Sequence, residues 1–216
     1  MNWKLPNILT ASRLPLAAAF FVFVGLYSSD APEMNRIWVT TAFVIFVIAG
    51  ITDFLDGFLA RRMKIISAFG RIVDPFVDKV LIVGSFVMLA GSNYMLDGSG
   101  AYSDFERGLP TWLTGGMASA VQPWMVVVVM AREFIISAVR GYSESQGIKF
   151  PATYAGKIKL FVQVVAIGTV LIQVTFVRNA EWAVLLKIAV IWLTVLVTVV
   201  SGLTYVGRAR GLLVAD

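Results

Sequence analysis

Four aspartates, Asp53, Asp56, Asp74 and Asp78, fall within 26 positions of a chain that carries only 13 acidic residues. They flank a basic connector holding Arg61, Arg62, Lys64 and Arg71, and the sequence on either side is apolar. A carboxylate placed in hydrocarbon costs about 2.5–3.5 kcal/mol on insertion scales, so a cluster of four needs a compensating charge. At 100° per residue, Asp53, Asp56, Gly57 and Ala60 share one arc of a helix, and Gly70, Asp74 and Asp78 recur every fourth residue. Pro75 leaves two readings of the second pair: a helix running through both aspartates, or Asp74 as the cap of a helix with Pro75 in its first turn. Two helices joined by a short connector lie side by side, so the two pairs can converge. Two divalent cations would balance four carboxylates, and metals about 3.5–4 Å apart stabilise both oxygens of an in-line displacement at phosphorus. Glycine at position 57 would let a ligand approach the helix closely. The plainer reading pairs the acids with Arg61, Arg62, Lys64, Arg71 and Lys79 at a wet membrane edge. Four acids on converging faces with small residues between them favour the metal site.

The chain has neither cysteine nor histidine, which removes disulfides, thiol nucleophiles and any His/Cys zinc centre. A metal must be held by oxygen, which favours magnesium, manganese or calcium. Of 216 residues, 58% are hydrophobic and 14% charged, and the mean hydropathy is +0.82. Soluble domains carry about 25% charged residues, so the expected fold class is all-α, a polytopic membrane protein. Six spans are expected, near Ile8–Tyr27, Ile37–Leu59, Pro75–Tyr94, Val121–Arg140, Tyr154–Val177 and Trp182–Tyr205. The first is read as a span rather than a cleaved signal, and "MNWKLPN" before it as a short interfacial segment. Thirteen of the 18 lysines and arginines fall on the side of the termini and the aspartate connector, four on the other. That asymmetry places both termini and the aspartates in the cytoplasm. The net charge of +5 thus follows topology and does not indicate nucleic acid. The Gly-rich segment between the third and fourth spans is expected to face outward without a catalytic role, and residues 1–216 to form a single membrane domain.

Written out, the cluster is D53-x2-D56-G57-x2-A60-R61-x8-G70-x3-D74-x3-D78, eight fixed residues. It resembles the signature of the CDP-alcohol phosphotransferase family at every defining position, and the six spans agree. The resemblance implies transfer of a phosphatidyl or similar group from a CDP-linked lipid to an alcohol, with release of CMP. It implies two divalent cations, Mg2+ or Mn2+, on Asp53, Asp56, Asp74 and Asp78, with Asp78 also the base for the acceptor hydroxyl. Gly57, Ala60, Arg61 and Gly70 would belong to the CDP site, as would Asn7 and Thr10, for which helix capping is an equally ordinary role. It further implies a homodimer in a bacterial-type cytoplasmic (inner) membrane, with the active site facing the cytoplasm.

"LPNILTASR", "AREFIISAVR" and "AGKIKLFVQ" resemble stretches of the family's glycerol-3-phosphate-using branch. The substrates would then be CDP-diacylglycerol and glycerol 3-phosphate, and the product phosphatidylglycerophosphate. A phosphomonoester needs a cationic pocket, and Arg132, Arg140, Lys157 and Lys159 are the candidates, with Glu133 to orient an arginine or bind glycerol hydroxyls. The ordinary alternative is that these cations snorkel to anionic headgroups. Two rival functions stand beside this one. One keeps the family but changes the acceptor to inositol phosphate, serine or phosphatidylglycerol; the other is a divalent-cation or proton-coupled transporter.

Overall fold

The computed structural model describes residues 4–28, 32–63, 68–94, 117–147, 154–178 and 180–213; it describes the backbone alone at 4–11, 32–33, 54, 56–63, 68–75, 78, 144 and 208–213. Among these residues the regular elements are six α-helices and one 3-10 turn, Ser92–Tyr94. The helices are α1 (Lys4–Gly25), α2 (Pro32–Met63), α3 (Ala68–Leu89), α4 (Pro123–Ser145), α5 (Tyr154–Phe176) and α6 (Glu181–Leu213).

The first seam shows how the sequence assembles this bundle. Arg13, Ala17, Phe20 and Val24 of α1 are buried at steps of four, three and four residues. Asn35, Val39, Ala42, Phe46 and Ala49 of α2 are buried at the same period, and Asp53 is the next position on that stripe. Such stripes let two helices interlock along their length. Polar pairs close the seam at each end. At one, the Ser28 amide donates to Asn35 Oδ1 at 2.9 Å; at the other, Arg13 Nη1 donates to Asp53 Oδ1 at 2.5 Å. α1 also packs on α3, α2 on α5, and α6 on both α4 and α5, around a core that includes Phe20, Phe46, Phe86, Met125, Ile167 and Ile191.

The outer faces are apolar too: Val22, Ile51, Val127, Phe134, Leu196 and Leu203 are all exposed. Helices apolar all round suit a hydrocarbon solvent, which cannot satisfy exposed polar groups. Met34–Asp53, Tyr154–Phe176 and Glu181–Gly207 are long and apolar enough to cross a membrane, and Ser12–Gly25 and Lys79–Leu89 form shorter apolar helical stretches.

Contacts at the two ends show that successive helices run in opposite directions. At one end, Asn93 donates to Gly25 O, Lys187 Nζ to Ala118 O and Gln173 Oε1, and Arg36 lies over the Phe176 ring. That end gathers the last turns of α1 and α5 and the first turns of α2 and α6. The opposite end gathers Arg13, Asp53, Lys79, Glu133 and Lys159.

One open reading is decided and one expectation changes. α3 begins at Ala68, so its helix already runs through Asp74 and Asp78, and Asp74 is not an N-cap. A proline inside an apolar helix is tolerated where neighbours re-satisfy the freed carbonyl, as it also is at Pro15 within α1. The helix of α1 starts at Lys4, so residues 4–7 continue into the first apolar stretch and form no separate element. Most of the Gly-rich segment, residues 95–116, lies outside the described residues.

Candidate active site

The aspartates sit on the two helices that meet α1. Asp53 and Asp56, with Gly57, Ala60 and Arg61, belong to the last three turns of α2; Gly70, Asp74 and Asp78 belong to the first three turns of α3. Asn7 and Thr10 lie in the first turns of α1. Of these, the side chain of Asp53 is described; those of Asp56, Gly57, Ala60, Arg61, Gly70, Asp74, Asp78, Asn7 and Thr10 lie outside the described residues. The Asp53 side chain is 44% exposed, whereas Arg13, bonded to its Oδ1, is 4% exposed. The arginine therefore stands behind the carboxylate, on the side of the bundle interior.

The second group draws its charges from three helices and polar partners from a fourth. Glu133 of α4 is buried, and its Oε1 accepts hydrogen bonds from Lys159 Nζ of α5 and from Arg132 Nη1, the latter at 3.2 Å. Arg132 Nε donates to Ser201 Oγ of α6 at 3.2 Å, and the guanidinium lies 5.5 Å from the centroid of the Tyr205 ring. Gly202 makes that path possible, since a Cβ there would come within 3.3 Å of Arg132 Cγ. One turn along α4, Ser137 Oγ donates to Glu133 O at 2.7 Å and accepts from Lys79 Nζ of α3. Lys79 directly follows Asp78, so this bond ties the aspartate-bearing helix to the helix of Arg132 and Glu133. Among the described residues, two cations, Arg132 and Lys159, meet the one carboxylate of Glu133, with Lys79 held one turn along α4 on Ser137.

Sequence reasoning named Arg132, Glu133 and Lys159, and the fold brings these three together. Lys157 is exposed; two residues from buried Lys159, it lies 200° around α5 and points away from the group. Arg140 is half-buried, two turns beyond Arg132, and its Nε is buried without a hydrogen-bond partner among the described residues. Lys79, Ser137, Ser201 and Tyr205 were not anticipated as members. Only Ser137 had a local signal, the four-residue step from Glu133.

An apolar cavity of about 420 Å³ opens between α3 and α4, walled by Val80, Val83, Val87 and Phe134. Lys79 and Glu133 line its end nearest the charges, and Phe21 of α1 packs behind Gly84. A charged end and an apolar body are what an amphiphile requires of a site.

A model of the CDP-alcohol phosphatidyltransferase family matches residues 3–200. The chain is 26% identical over 216 residues to the CDP-diacylglycerol–glycerol-3-phosphate 3-phosphatidyltransferase of Bacillus subtilis, covering 95% of each chain. It is 32% identical over 206 residues to a probable phosphatidylglycerophosphate synthase of Mycobacterium tuberculosis, covering 95% of this chain and 81% of that one. It is 30% identical over 213 residues to the CDP-diacylglycerol–glycerol-3-phosphate 3-phosphatidyltransferase of Salmonella typhimurium, covering 98% of this chain and 97% of that one. The match contains the whole aspartate motif together with Lys79, Arg132, Glu133 and Lys159, and the relatives are named for phosphatidyl transfer: the protein is an enzyme belonging to the CDP-alcohol phosphatidyltransferase family.

Proposed function

We propose that the protein transfers the phosphatidyl group of CDP-diacylglycerol to glycerol 3-phosphate, giving phosphatidylglycerophosphate and CMP. The observation that carries the acceptor is the buried pairing of Arg132 and Lys159 on Glu133, with Lys79 bonded to Ser137 one turn along the same helix. A phosphomonoester carries about −1.5 to −2 charges at pH 7 and calls for cationic partners of this kind. Serine would bring no such charge and phosphatidylglycerol only a diester, whereas inositol phosphate would bring the same group, so it is the relatives' names that favour glycerol 3-phosphate over it. Relatives named for transfer to glycerol 3-phosphate support the same assignment.

The family generally depends on divalent metal. Asp53, Asp56, Asp74 and Asp78 are the residues that would hold it, and the donor set fits: oxygen ligands alone, with the Asp53 carboxylate half-exposed at the end of the bundle. Mg2+ or Mn2+, when bound, would supply positive charge to the phosphoryl oxygens of the CDP-lipid. The remaining work falls to the chain's own groups. Gly57, Ala60, Arg61, Gly70, Asn7 and Thr10 form the CDP site. Arg132 and Lys159, with Lys79 and Arg140, hold the acceptor phosphate, while Glu133 fixes the directions of Arg132 and Lys159. Asp78 takes the proton from the acceptor hydroxyl as its oxygen bonds to the phosphorus that bears diacylglycerol. The bond from that phosphorus to the oxygen of CMP breaks, and CMP leaves with the electron pair. Alignment on a rigid bundle supplies much of the rate, because a direct transfer needs no covalent enzyme intermediate.

The setting belongs to the same proposal: one domain, six spans, both termini and the aspartates at the cytoplasmic face of a bacterial inner membrane, and a homodimer by family likeness. The deciding experiment follows CMP release from CDP-diacylglycerol by the purified chain with each acceptor in turn. Glycerol 3-phosphate is expected to support turnover. Turnover with inositol phosphate, serine or phosphatidylglycerol, and none with glycerol 3-phosphate, would overturn the assignment.

A further inference from the structure

Beneath the charged group around Glu133 lie two polar side chains that the protein buries and does not bond. Gln163 of α5 is 0% exposed, and neither its Nε2 nor its Oε1 has a hydrogen-bond partner among the described residues. Thr198 of α6 is also 0% exposed, and its Oγ1 is in the same condition. Three contacts fix where they lie. Lys159 bonds Glu133, and four residues further along the same face of α5 comes Gln163, about 6 Å nearer the middle of the bundle. Lys187 bonds Gln173 across the α5–α6 seam; ten residues back along α5 is Gln163, and ten on along antiparallel α6 is Val197, beside Thr198. A Cβ on Gly168 would lie 3.6 Å from the Phe43 ring, which sets Gln163 near Ile48 and Ala49 of α2, one turn before Asp53. Ser201, three residues on from Thr198, bonds Arg132. The amide and the hydroxyl therefore share one level, a turn below Lys159, Arg132 and Asp53, where the two halves of the proposed site meet.

A buried amide with both polar atoms unbonded is costly, and the hydrocarbon around the bundle offers it nothing. The group that satisfies it must both donate and accept, as a hydroxyl does. We infer that Gln163, with Thr198, forms the seat of the acceptor's middle hydroxyl, and so reads glycerol 3-phosphate by more than its phosphate. The inference rests on the reading of the acceptor given above. With the phosphate at Arg132 and Lys159 and the terminal hydroxyl attacking phosphorus, the middle hydroxyl is the group left to bond the floor between them. Lys159 stands over the amide on a flexible stem, so a phosphate that draws its ammonium aside uncovers Gln163. Complete burial suits the role. A dry amide rejects a substrate that lacks the hydroxyl, because its own groups then stay unpaired. The rival occupant is a buried water, which bonds such an amide equally well.

The test compares glycerol 3-phosphate with 3-hydroxypropyl phosphate, which keeps the phosphate and the terminal hydroxyl and lacks the middle one. CMP release from CDP-diacylglycerol is measured for the full chain in detergent. The wild type is expected to favour glycerol 3-phosphate about 10- to 100-fold in kcat/KM, the scale set by one buried group left unpaired. Gln163→Met keeps the length of the side chain and removes its polar atoms. It is expected to bring the two acceptors level by lowering activity with glycerol 3-phosphate, while KM for CDP-diacylglycerol stays unchanged. Thr198→Val is expected to reduce the preference by less. Melting temperatures control for packing, since apolar replacement of unpaired polar groups is not expected to lower them. Should Gln163→Met not fold, Thr198→Val decides, and a preference equal to the wild type's then overturns the inference. A preference carried intact into Gln163→Met, or equal losses with both acceptors, also overturns it, since the seat would then hold water alone. A wild type that does not distinguish the two acceptors does the same. If the wild type turns over neither, the acceptor reading fails first and the inference falls with it.

Discussion

At the residue scale, Asp78 and Glu133 are carboxylates with opposite tasks. Asp78 is proposed to accept a proton, so it must face substrate; Glu133 is buried with both of its cationic partners in place. Asp78→Asn removes the base and keeps an oxygen, and loss of a positioned base typically costs about 10²–10⁴-fold. The expected result is a fall of that size in kcat, with Mn2+ binding weakened less than in Asp56→Asn or Asp74→Asn. Comparable losses of metal binding in all three would instead make Asp78 a ligand without the separate role. Glu133→Ala strands Arg132 and Lys159 as buried, uncompensated cations. Removing one partner of a buried pair costs about 3–5 kcal/mol, whereas replacing the pair by apolar groups is often neutral. The single substitution is therefore expected to lower thermal stability steeply. Glu133→Leu combined with Lys159→Met is expected to recover much of it while acceptor binding stays impaired. A double variant as unstable as the single would show that Arg132 is the decisive stranded charge.

At the element scale, the seam between α1 and α3 depends on a missing side chain. A methyl group on Gly84 would fall inside the van der Waals envelope of the Phe21 ring. Overpacking of this kind costs about 1–3 kcal/mol, so Gly84→Ala is expected to lower the melting temperature, and Phe21→Leu in the same chain to restore part of the loss. No rescue would mean that the ring is not what meets the methyl group. The helices themselves were largely legible. Six apolar runs became six helices, and Tyr154–Val177 differs from the observed α5 by one residue. Errors gathered at the charged ends, where hydropathy stops but helix propensity does not: "ARRM" extends α2 to Met63, and "GRARGLL" extends α6 to Leu213. Pro75 left two readings open, and the helix that starts at Ala68 decides for the one that runs through Asp74 and Asp78. The aspartate motif was legible because its spacing is local. The bonds from Lys79 to Ser137 and from Arg132 to Ser201 span 58 and 69 residues, and no periodicity reports on such pairs.

At the scale of the whole molecule, the alternating helix directions put all the proposed chemistry at one end of the bundle. Arg13 and Asp53 lie there with Lys79, Glu133 and Lys159, while Arg36, Arg178 and Lys187 belong to the other. Lys187 in particular is consumed inside the protein by Ala118 O and Gln173 Oε1, so it contributes little to the charge seen from outside. Discounting it sharpens the asymmetry of basic residues, and that asymmetry orients helical membrane proteins with the richer side inward. Because the chain has no cysteine, single cysteines can report each end without background. Ser92 is exposed at the end away from the aspartates, and Ser145 is exposed at the end near them. In spheroplasts, a membrane-impermeant maleimide is expected to label Ser92→Cys directly, and Ser145→Cys only after the membrane is permeabilised. The reverse pattern would set the aspartates on the outer face, away from cytoplasmic glycerol 3-phosphate, and the proposed reaction could not run as written. Labelling of both positions without permeabilisation would mean that the bundle does not span the membrane in the alternating order its contacts describe.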